Sequence, residues 1–360
     1  MKPIIIVVGA RPNFMKIAPI IKSMRSRGMP FRLIHTGQHY DRRMSDAFFQ
    51  DLGIPDPDVN LGVGSGSQAE QTAKIMVGYE AVLREKMSQL CLVVGDVTST
   101  MACTLVAKKC HLSVAHVEAG IRSGDRTMAE EINRIVTDAV ADDFFTTSER
   151  AGANLQRQGV PAERIHFVGN TMIDTLLANQ TRFRAPSVWG EIGLESGEYF
   201  VVTLHRPANV DEAEGLITLL RAIVDGARGL PIVFPVHPRT AKVLGSADPR
   251  LSQIRFLDPL GYLEFNYLVQ HAKAVITDSG GITEETTVLG VPCLTLRTST
   301  ERPETVEIGT NEILGTDPRA LSPAFDRLFA GAWKKGARPP LWDGKTGPRI
   351  VDRLEEILAR

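Results

Sequence analysis

Short apolar runs recur along the chain, each followed by a segment whose apolar residues return with the 3.6-residue period of an amphipathic helix. Ile4–Val8, Phe31–His35, Leu90–Val94, Ser113–Val117, Phe144–Thr147 and Ile165–Val168 read as strands. Such alternation predicts a parallel sheet with helices on both faces. The pattern breaks between Asn179 and Tyr199, where Pro186, Gly190, Gly193 and Gly197 interrupt a polar stretch, and then restarts. Phe200–Leu204, Ile232–Val236, Ile254–Leu257, Ala274–Thr277, Cys293–Leu296 and Glu312–Leu314 make a second strand series. The prediction is an α/β protein of two Rossmann-like domains, residues 1–175 and 197–345, with the ligand between them at the carboxyl ends of the strands. A last amphipathic helix within residues 346–360 is available to pack back across either domain.

Composition narrows the function classes. A length of 360 residues suits two domains. Hydrophobic residues at 43% and charged residues at 23% describe an ordinary globular protein with ample core. Lys and Arg number 41 against 42 Asp and Glu, which argues against nucleic acid or a membrane surface as the main partner. Cys91, Cys103, Cys110 and Cys293 lack CxxC spacing, and three of them fall in apolar patterns. They read as buried thiols in a reducing compartment, with no metal site implied. The first ten residues are too short a run for a signal peptide, and no apolar run reaches membrane-spanning length, so a cytoplasmic location is expected.

Chemistry gathers where strands end. Thr277-Asp278-Ser279-Gly280-Gly281 joins an apolar strand to a helix start, where free N–H groups suit a phosphate or diphosphate. The carboxylates Glu284 and Glu285 that follow are placed to hold sugar hydroxyls; the plainer reading is a turn with Asp278 or Ser279 as helix cap. The first strand runs into Gly9-Ala10-Arg11-Pro12-Asn13-Phe14-Met15-Lys16, which brings Arg11 and Lys16 near a strand end without the three-glycine dinucleotide fingerprint. Asp96 and Glu118 each finish a strand, and Arg122 is a candidate partner for Glu118. Glu130 opens a helix whose apolar stripe is Ile132, Ile135, Val136, Ala139 and Val140, and it lies nearly opposite that stripe. Three carboxylates converging on one cleft imply acid/base work. In the second half, His205 and His237 each follow a strand beside Arg and Pro. Arg297 to Glu304 concentrates charge and hydroxyls after another, as a diphosphate clamp would.

The set Gly9 to Lys16, Thr36-Gly37-Gln38-His39, Gly95-Asp96, His116-Val117-Glu118-Ala119-Gly120, Glu130-Glu131, Thr277 to Glu285 and Thr300-Glu301-Arg302-Pro303-Glu304 resembles the non-hydrolysing UDP-N-acetylglucosamine 2-epimerases along almost the whole chain. The resemblance implies a GT-B glycosyltransferase-like fold, with the two domains facing across a cleft, and a homodimer. It implies interconversion of UDP-N-acetylglucosamine and UDP-N-acetylmannosamine for envelope polysaccharide, with neither metal nor redox cofactor. Carried over by motif, Asp96, Glu118 and Glu130 are the acid/base candidates, and His205 assists near the diphosphate. Arg11 and Lys16 line the same cleft, Ser279, Gly280 and Gly281 bind phosphate, Glu285 the ribose, Arg302 the diphosphate or sugar region, and Phe265 stacks near uracil.

The chain departs from the common bacterial pattern at Ala10 and Asn13, where Thr and Glu usually flank the Arg-Pro, and at Pro207-Ala208, where Arg-Glu is usual. Both changes bear on the sugar. A 2-epimerase of a diacetamido uronic acid and a hydrolysing epimerase are the alternatives within this chemistry. A GT-B glycosyltransferase or a non-catalytic nucleotide-sugar binder is the alternative outside it. Leu61 to Gln68 contains no cation, so dependence on a diphosphate activator bound there is not expected.

Overall fold

The chain enters with Ile4–Val8 (β1), five aliphatic residues that are all buried, as a parallel strand covered on both faces requires. Phe31–His35 (β2), Val59–Asn60 (β3), Leu90–Val94 (β4), Ser113–Val117 (β5), Asp143–Thr146 (β6) and Ile165–Phe167 (β7) complete one sheet. All neighbours run parallel in the order β3-β2-β1-β4-β5-β6-β7, with Ile6 level with Leu33 on one side and Leu92 on the other. The order reverses beside β1, so the connections leaving β1 and β4 diverge and open a crevice at their carboxyl ends. The computed structural model describes residues 2–37, 52–85, 88–236 and 248–359, apart from the side chains of Arg11, Pro207, Ala208 and Pro249.

A second parallel sheet is built from Phe200–Thr203 (β8), Ile232–Pro235 (β9), Ile254–Leu257 (β10), Ala274–Thr277 (β11), Cys293–Thr295 (β12) and Asn311–Ile313 (β13). Its order, β10-β9-β8-β11-β12-β13, reverses between β8 and β11 in the same way. Alternation along β8 feeds two cores. Phe200 and Val202 pack with Leu216, Ile223 and Phe325, while Val201 packs on the other face with Val188, Leu194 and Leu268.

The strands anticipated from apolar runs are present, shifted by a residue at some ends. Leu204, Val236 and Leu296 are buried although β8, β9 and β12 have ended before them, so apolar burial outlasts the strand. The two-residue β3 went unanticipated because it is too short to display a period.

Contacts divide the chain into Met1–Ala178 with Pro340–Arg360, and Asn179–Pro339. Within the first unit the chain's last segment is tied down at several points. Trp342 is buried and donates its indole N–H to the Thr147 carbonyl at 3.0 Å. Asp174 accepts from the Gly347 N–H at 2.7 Å, and the helix Thr346–Leu358 lies on the helix Arg11–Ser26. The two backbones approach so closely that a Cβ on Gly347 would sit 2.6 Å from the Pro19 carbonyl oxygen. Gly347→Ala should therefore lower unfolding free energy by about 1–3 kcal/mol, the usual range for overpacking. Urea denaturation of the two proteins measures this, and equal midpoints would show that the helices have room to part.

Candidate functional site

In the first unit the ends of β1, β4 and β5 carry the charged groups. Asn13, buried at the start of the helix after β1, accepts from the Ala10 N–H at 3.0 Å and donates to the Val94 carbonyl at 3.0 Å. The connection leaving β1 is thereby fastened to the end of β4. Glu118 follows β5 in a left-handed conformation, φ +69°, which a side chain adopts only with strain. Its carboxylate is buried and forms an ion pair with Lys16, itself nearly buried. Gly95, after β4, also has a left-handed φ of +69°, and a Cβ there would come within 3.0 Å of Lys16 Nζ and 3.5 Å of Glu118 Oε2. Lys16 and Glu118 therefore meet beside the residue that precedes Asp96.

The helix Ala129–Val140 supplies the remaining groups, and with the face opposite to the one its pattern suggests. Glu131, Asn133, Arg134, Thr137 and Asp138 are its buried residues, whereas Ile132 of the apolar stripe is 42% exposed. The buried face is polar because it meets strand ends whose backbone groups and charges need partners. Arg134 donates to Asp96 Oδ2 at 2.5 Å and to Glu131 at 2.9 Å, and Asn133 donates to the Asp96 carbonyl at 2.8 Å. Glu131 also accepts the Ser123 and Gly124 N–H groups. Burial works against its charge, yet these bonds and Arg134 leave its pKa below the ordinary value. Glu130 is exposed in the helix's first turn. Arg122 does not pair with Glu118 as anticipated; its guanidinium lies 2.7 Å from Asp138. Glu118 turns instead toward the lysine after β1, a contact between residues far apart in sequence.

In the second unit the turn after β11 is organised by Asp278, which is fully buried. Its carboxylate accepts from the backbone N–H groups of His205 and Arg206, at 3.1 and 2.9 Å, and from Asn209 Nδ2 at 3.0 Å, with His205 Nδ1 at 2.8 Å. Burial opposes ionisation of Asp278, but His205, Asn209 and the Arg206 N–H together hold its pKa below the usual carboxylate range. Asp278 thus fastens the turn after β8 and does not cap the helix Gly280–Leu289. That helix begins at Ser279, whose side chain makes no capping bond.

Charged groups cluster beside the helix start. A Cβ on Gly280 would lie 3.6 Å from Glu301 Oε1 and 4.0 Å from Arg297 Nη1. Arg297 donates to Glu301 at 2.6 Å, Arg206 lies 3.7 Å from the other oxygen, and Arg302 donates to Glu284 at 2.6 Å. Burial raises the Glu301 pKa, but Arg302 and Arg297 outweigh it and bring the value down to about 2. Three guanidinium groups thus lie close to a helix N-terminus, an arrangement suited to a phosphate-bearing ligand. Of the paired carboxylates Glu284 and Glu285, the first is taken by Arg302. Glu285 accepts from Tyr262 Oη at 3.0 Å. Phe265, in the helix Tyr262–His271, is half-buried against the core that contains Val201. Gly281 lies in the first turn of the Gly280–Leu289 helix.

His237, Gln38, His39 and the Arg11 side chain lie outside the described residues. Sequence reading missed Asp138, Arg134 and Asn209 as organisers. Their spacing gave no signal, because Arg134 and Asp138 lie opposite the apolar stripe of their helix, where polar residues are ordinary.

Two doubly wound parallel sheets in one chain define a GT-B glycosyltransferase-like fold. A Phytolacca americana protein solved with UDP-2fluoro-glucose and pterostilbene shares that fold alone, at 11% identity and TM-score 0.60 over 99% of this chain and 100% of that one. Within this class, residues 22–355 match the family model described as UDP-N-acetylglucosamine 2-epimerase, and the chain belongs to that family. It is similar to the Methanocaldococcus jannaschii UDP-GlcNAc 2-epimerase solved in complex with UDP-GlcNAc and UDP, at 39% identity and TM-score 0.89, covering 99% of this chain and 100% of that one. It is 38% identical over 364 residues to the UDP-2,3-diacetamido-2,3-dideoxy-D-glucuronate 2-epimerase of Pseudomonas aeruginosa, covering 99% of each. Among the described residues no group of His, Cys, Asp and Glu could hold a metal ion, and no helix is long and apolar enough to cross a membrane.

Burial pushes the Glu285 pKa up from 4.5 to about 7, Tyr262 offsetting part of the effect. The folded protein therefore holds this proton more tightly than the unfolded chain. The associated stability is present in full below pH 4.5 and is lost as pH rises through about 7. Glu285→Gln keeps an acceptor for Tyr262 without the charge. Relative to this variant, the wild type should lose on the order of 3 kcal/mol between pH 4.5 and 8, by denaturation at each pH. Parallel stability curves would mean that Glu285 is ionised at little penalty.

Proposed function

We propose that this chain epimerises C2 of a UDP-N-acetylhexosamine, interconverting UDP-N-acetylglucosamine and UDP-N-acetylmannosamine. The observation that carries the reading is the pairing of two carboxylates at adjacent strand ends with fixed cations, Asp96 with Arg134 and Glu118 with Lys16, while Glu130 stands exposed on the helix that holds Asp96. The C2–H of this sugar is not acidified by a carbonyl, so its removal needs a concurrent outlet for the electron pair. In the proposed route a base takes the C2 proton, the C1=C2 double bond forms, and the C1–O bond breaks with its electrons leaving on UDP. UDP then adds back to C1 of the glycal while an acid protonates the opposite face of C2. Asp96, Glu118 and Glu130 are the acid/base groups of this scheme. The helix start at Ser279, Gly280 and Gly281, with Arg302 and His205, receives the diphosphate, and Arg11, Lys16 and His237 assist on the substrate. Glu285 takes the ribose and Phe265 the uracil.

The similarity to the P. aeruginosa enzyme supports a second substrate reading, UDP-2,3-diacetamido-2,3-dideoxyglucuronate, with identical chemistry at C2. Incubating each sugar nucleotide in D2O and following it by NMR separates the two. The substrate should epimerise with deuterium at C2 of the product and without net hydrolysis. Protium fully retained at C2 would rule out the elimination route, and free sugar plus UDP would identify a hydrolase. Asp96→Asn, Glu118→Gln and Glu130→Gln should each slow turnover by about a hundredfold or more; three near-normal rates would remove the acid/base assignment.

A homodimer belongs to the same proposal, as does residence in the cytoplasm, which the free, buried thiols of Cys91, Cys103 and Cys293 favour. The outward apolar stripe of the Ala129–Val140 helix supports the dimer, and so does Val77, which is 71% exposed on the helix Gln68–Glu85. Ile132→Lys should shift the mass measured by light scattering from two chains to one. A wild-type protein that runs as a monomer at micromolar concentration would overturn the dimer.

A further inference from the structure

Asp138 lies two helical turns after Glu130 and one turn after Arg134, on the buried face of the Ala129–Val140 helix. It is completely enclosed and carries one charge, and its bonds lead to both carboxylate-bearing turns. Oδ2 accepts the Gly120 N–H at 3.0 Å, two residues beyond Glu118, and meets Arg122 at 2.7 Å. Oδ1 meets His116 Nδ1 at 2.6 Å, and His116 Nε2 lies 2.8 Å from the Gly95 carbonyl, one residue before Asp96. Neither His116 partner has a hydrogen to give: one is a peptide carbonyl, the other a carboxylate already accepting from two further donors. Both ring nitrogens therefore face acceptors, a geometry that a ring donating from both would satisfy. A histidine that merely fills a core needs only one donor bond. This one joins the turn after β4 to the helix that also supports the turn after β5.

We propose that Asp138 is the positioning residue of the reaction: through His116 it fixes the turn bearing Asp96, through the Gly120 N–H it fixes the turn bearing Glu118, and so it sets the separation of the two carboxylates. The proposal rests on the catalytic reading of Asp96 and Glu118 given above. The same helix grips Asp96 directly one turn earlier, through Arg134 and Asn133, and presents Glu130 one turn before that. All three carboxylates are thus indexed to one rigid element. Its inverted amphipathicity follows, because the face doing the indexing must be polar and must be inward. Glu118 in its strained left-handed conformation is the group that gains most from such restraint, since a relaxed turn would release it.

The test uses the full-length protein with 15N-labelled histidine. At neutral pH the wild type should show one histidine with both ring nitrogens protonated, and that signal should vanish in Asp138→Asn and in His116→Gln. Amide exchange at Gly120 should quicken in Asp138→Asn. These readings need no turnover, so they report the linkage even if neither sugar nucleotide is a substrate, an outcome that would itself overturn the functional reading and the positioning role with it. In the active enzyme Asp138→Asn should lower kcat by about a hundredfold, the scale set by small misplacement of reacting groups. KM and the calorimetric affinity for UDP should stay within about twofold, because no diphosphate-facing group is altered. Asp138→Glu should recover part of kcat by restoring the charge. A neutral His116 in the wild type overturns the proposal, and so does a folded Asp138→Asn with near-normal kcat. If Asp138→Asn fails to fold, His116→Gln carries the same kcat-against-KM comparison, and an unchanged kcat there overturns the proposal equally.

Discussion

An ionised carboxylate removed from water must be met by donors on every side, and Asp138 is met by the His116 ring, the Arg122 guanidinium and the Gly120 N–H, all contributed by β5 and the loop that follows it. Removing one member of such a set costs several kcal/mol, because the others are left charged and enclosed. That requirement fixes where β5, the loop that follows it and the Ala129–Val140 helix stand relative to one another. The positions of Asp96 and Glu118 descend from it. Burial of charge here is a geometric specification of the strand ends, obtained at some expense in stability.

The second unit meets the same requirement with a different device. Among the described residues no arginine side chain meets the Asp278 carboxylate; it is satisfied by two consecutive backbone N–H groups, an asparagine and a histidine. Its negative charge is thereby absorbed inside the turn after β8, and the neighbouring arginines face Glu284 and Glu301 instead. An incoming diphosphate would compete with those two carboxylates for the guanidinium groups. Ion pairs of this kind keep arginines extended and oriented, so little side-chain entropy would remain to be lost on binding an anion.

Parallel strands buried on both faces are read easily because they are continuous apolar runs, and Ile4–Val8 and Leu90–Val94 were delimited to the residue. Strand ends in the second sheet were read one residue too long, since Leu204, Val236 and Leu296 stay buried after the strands have ended. Hydrophobicity reports burial, and pairing stops where the chain turns to present its polar residues. The same limit explains the Ala129–Val140 helix. Its period identified a helix and its stripe, but the period of a helix does not say which side faces in.

The amino-acid sequence determined the alternation of strands and helices, the glycine turns, the family, and which strand ends carry Asp96, Glu118, His205 and Ser279. These are local patterns or linear motifs, and each is written in contiguous residues. Only the tertiary structure decided that Lys16 rather than Arg122 pairs with Glu118, that Asp278 fastens a turn instead of capping a helix, and that Asp138 meets the end of β5 directly and the end of β4 through His116. Partner choice among buried charges depends on which donors the parallel sheet brings to one edge. Strands adjacent in space, such as β1 and β4, are separated by some eighty residues of chain, and no linear spacing encodes that neighbourhood.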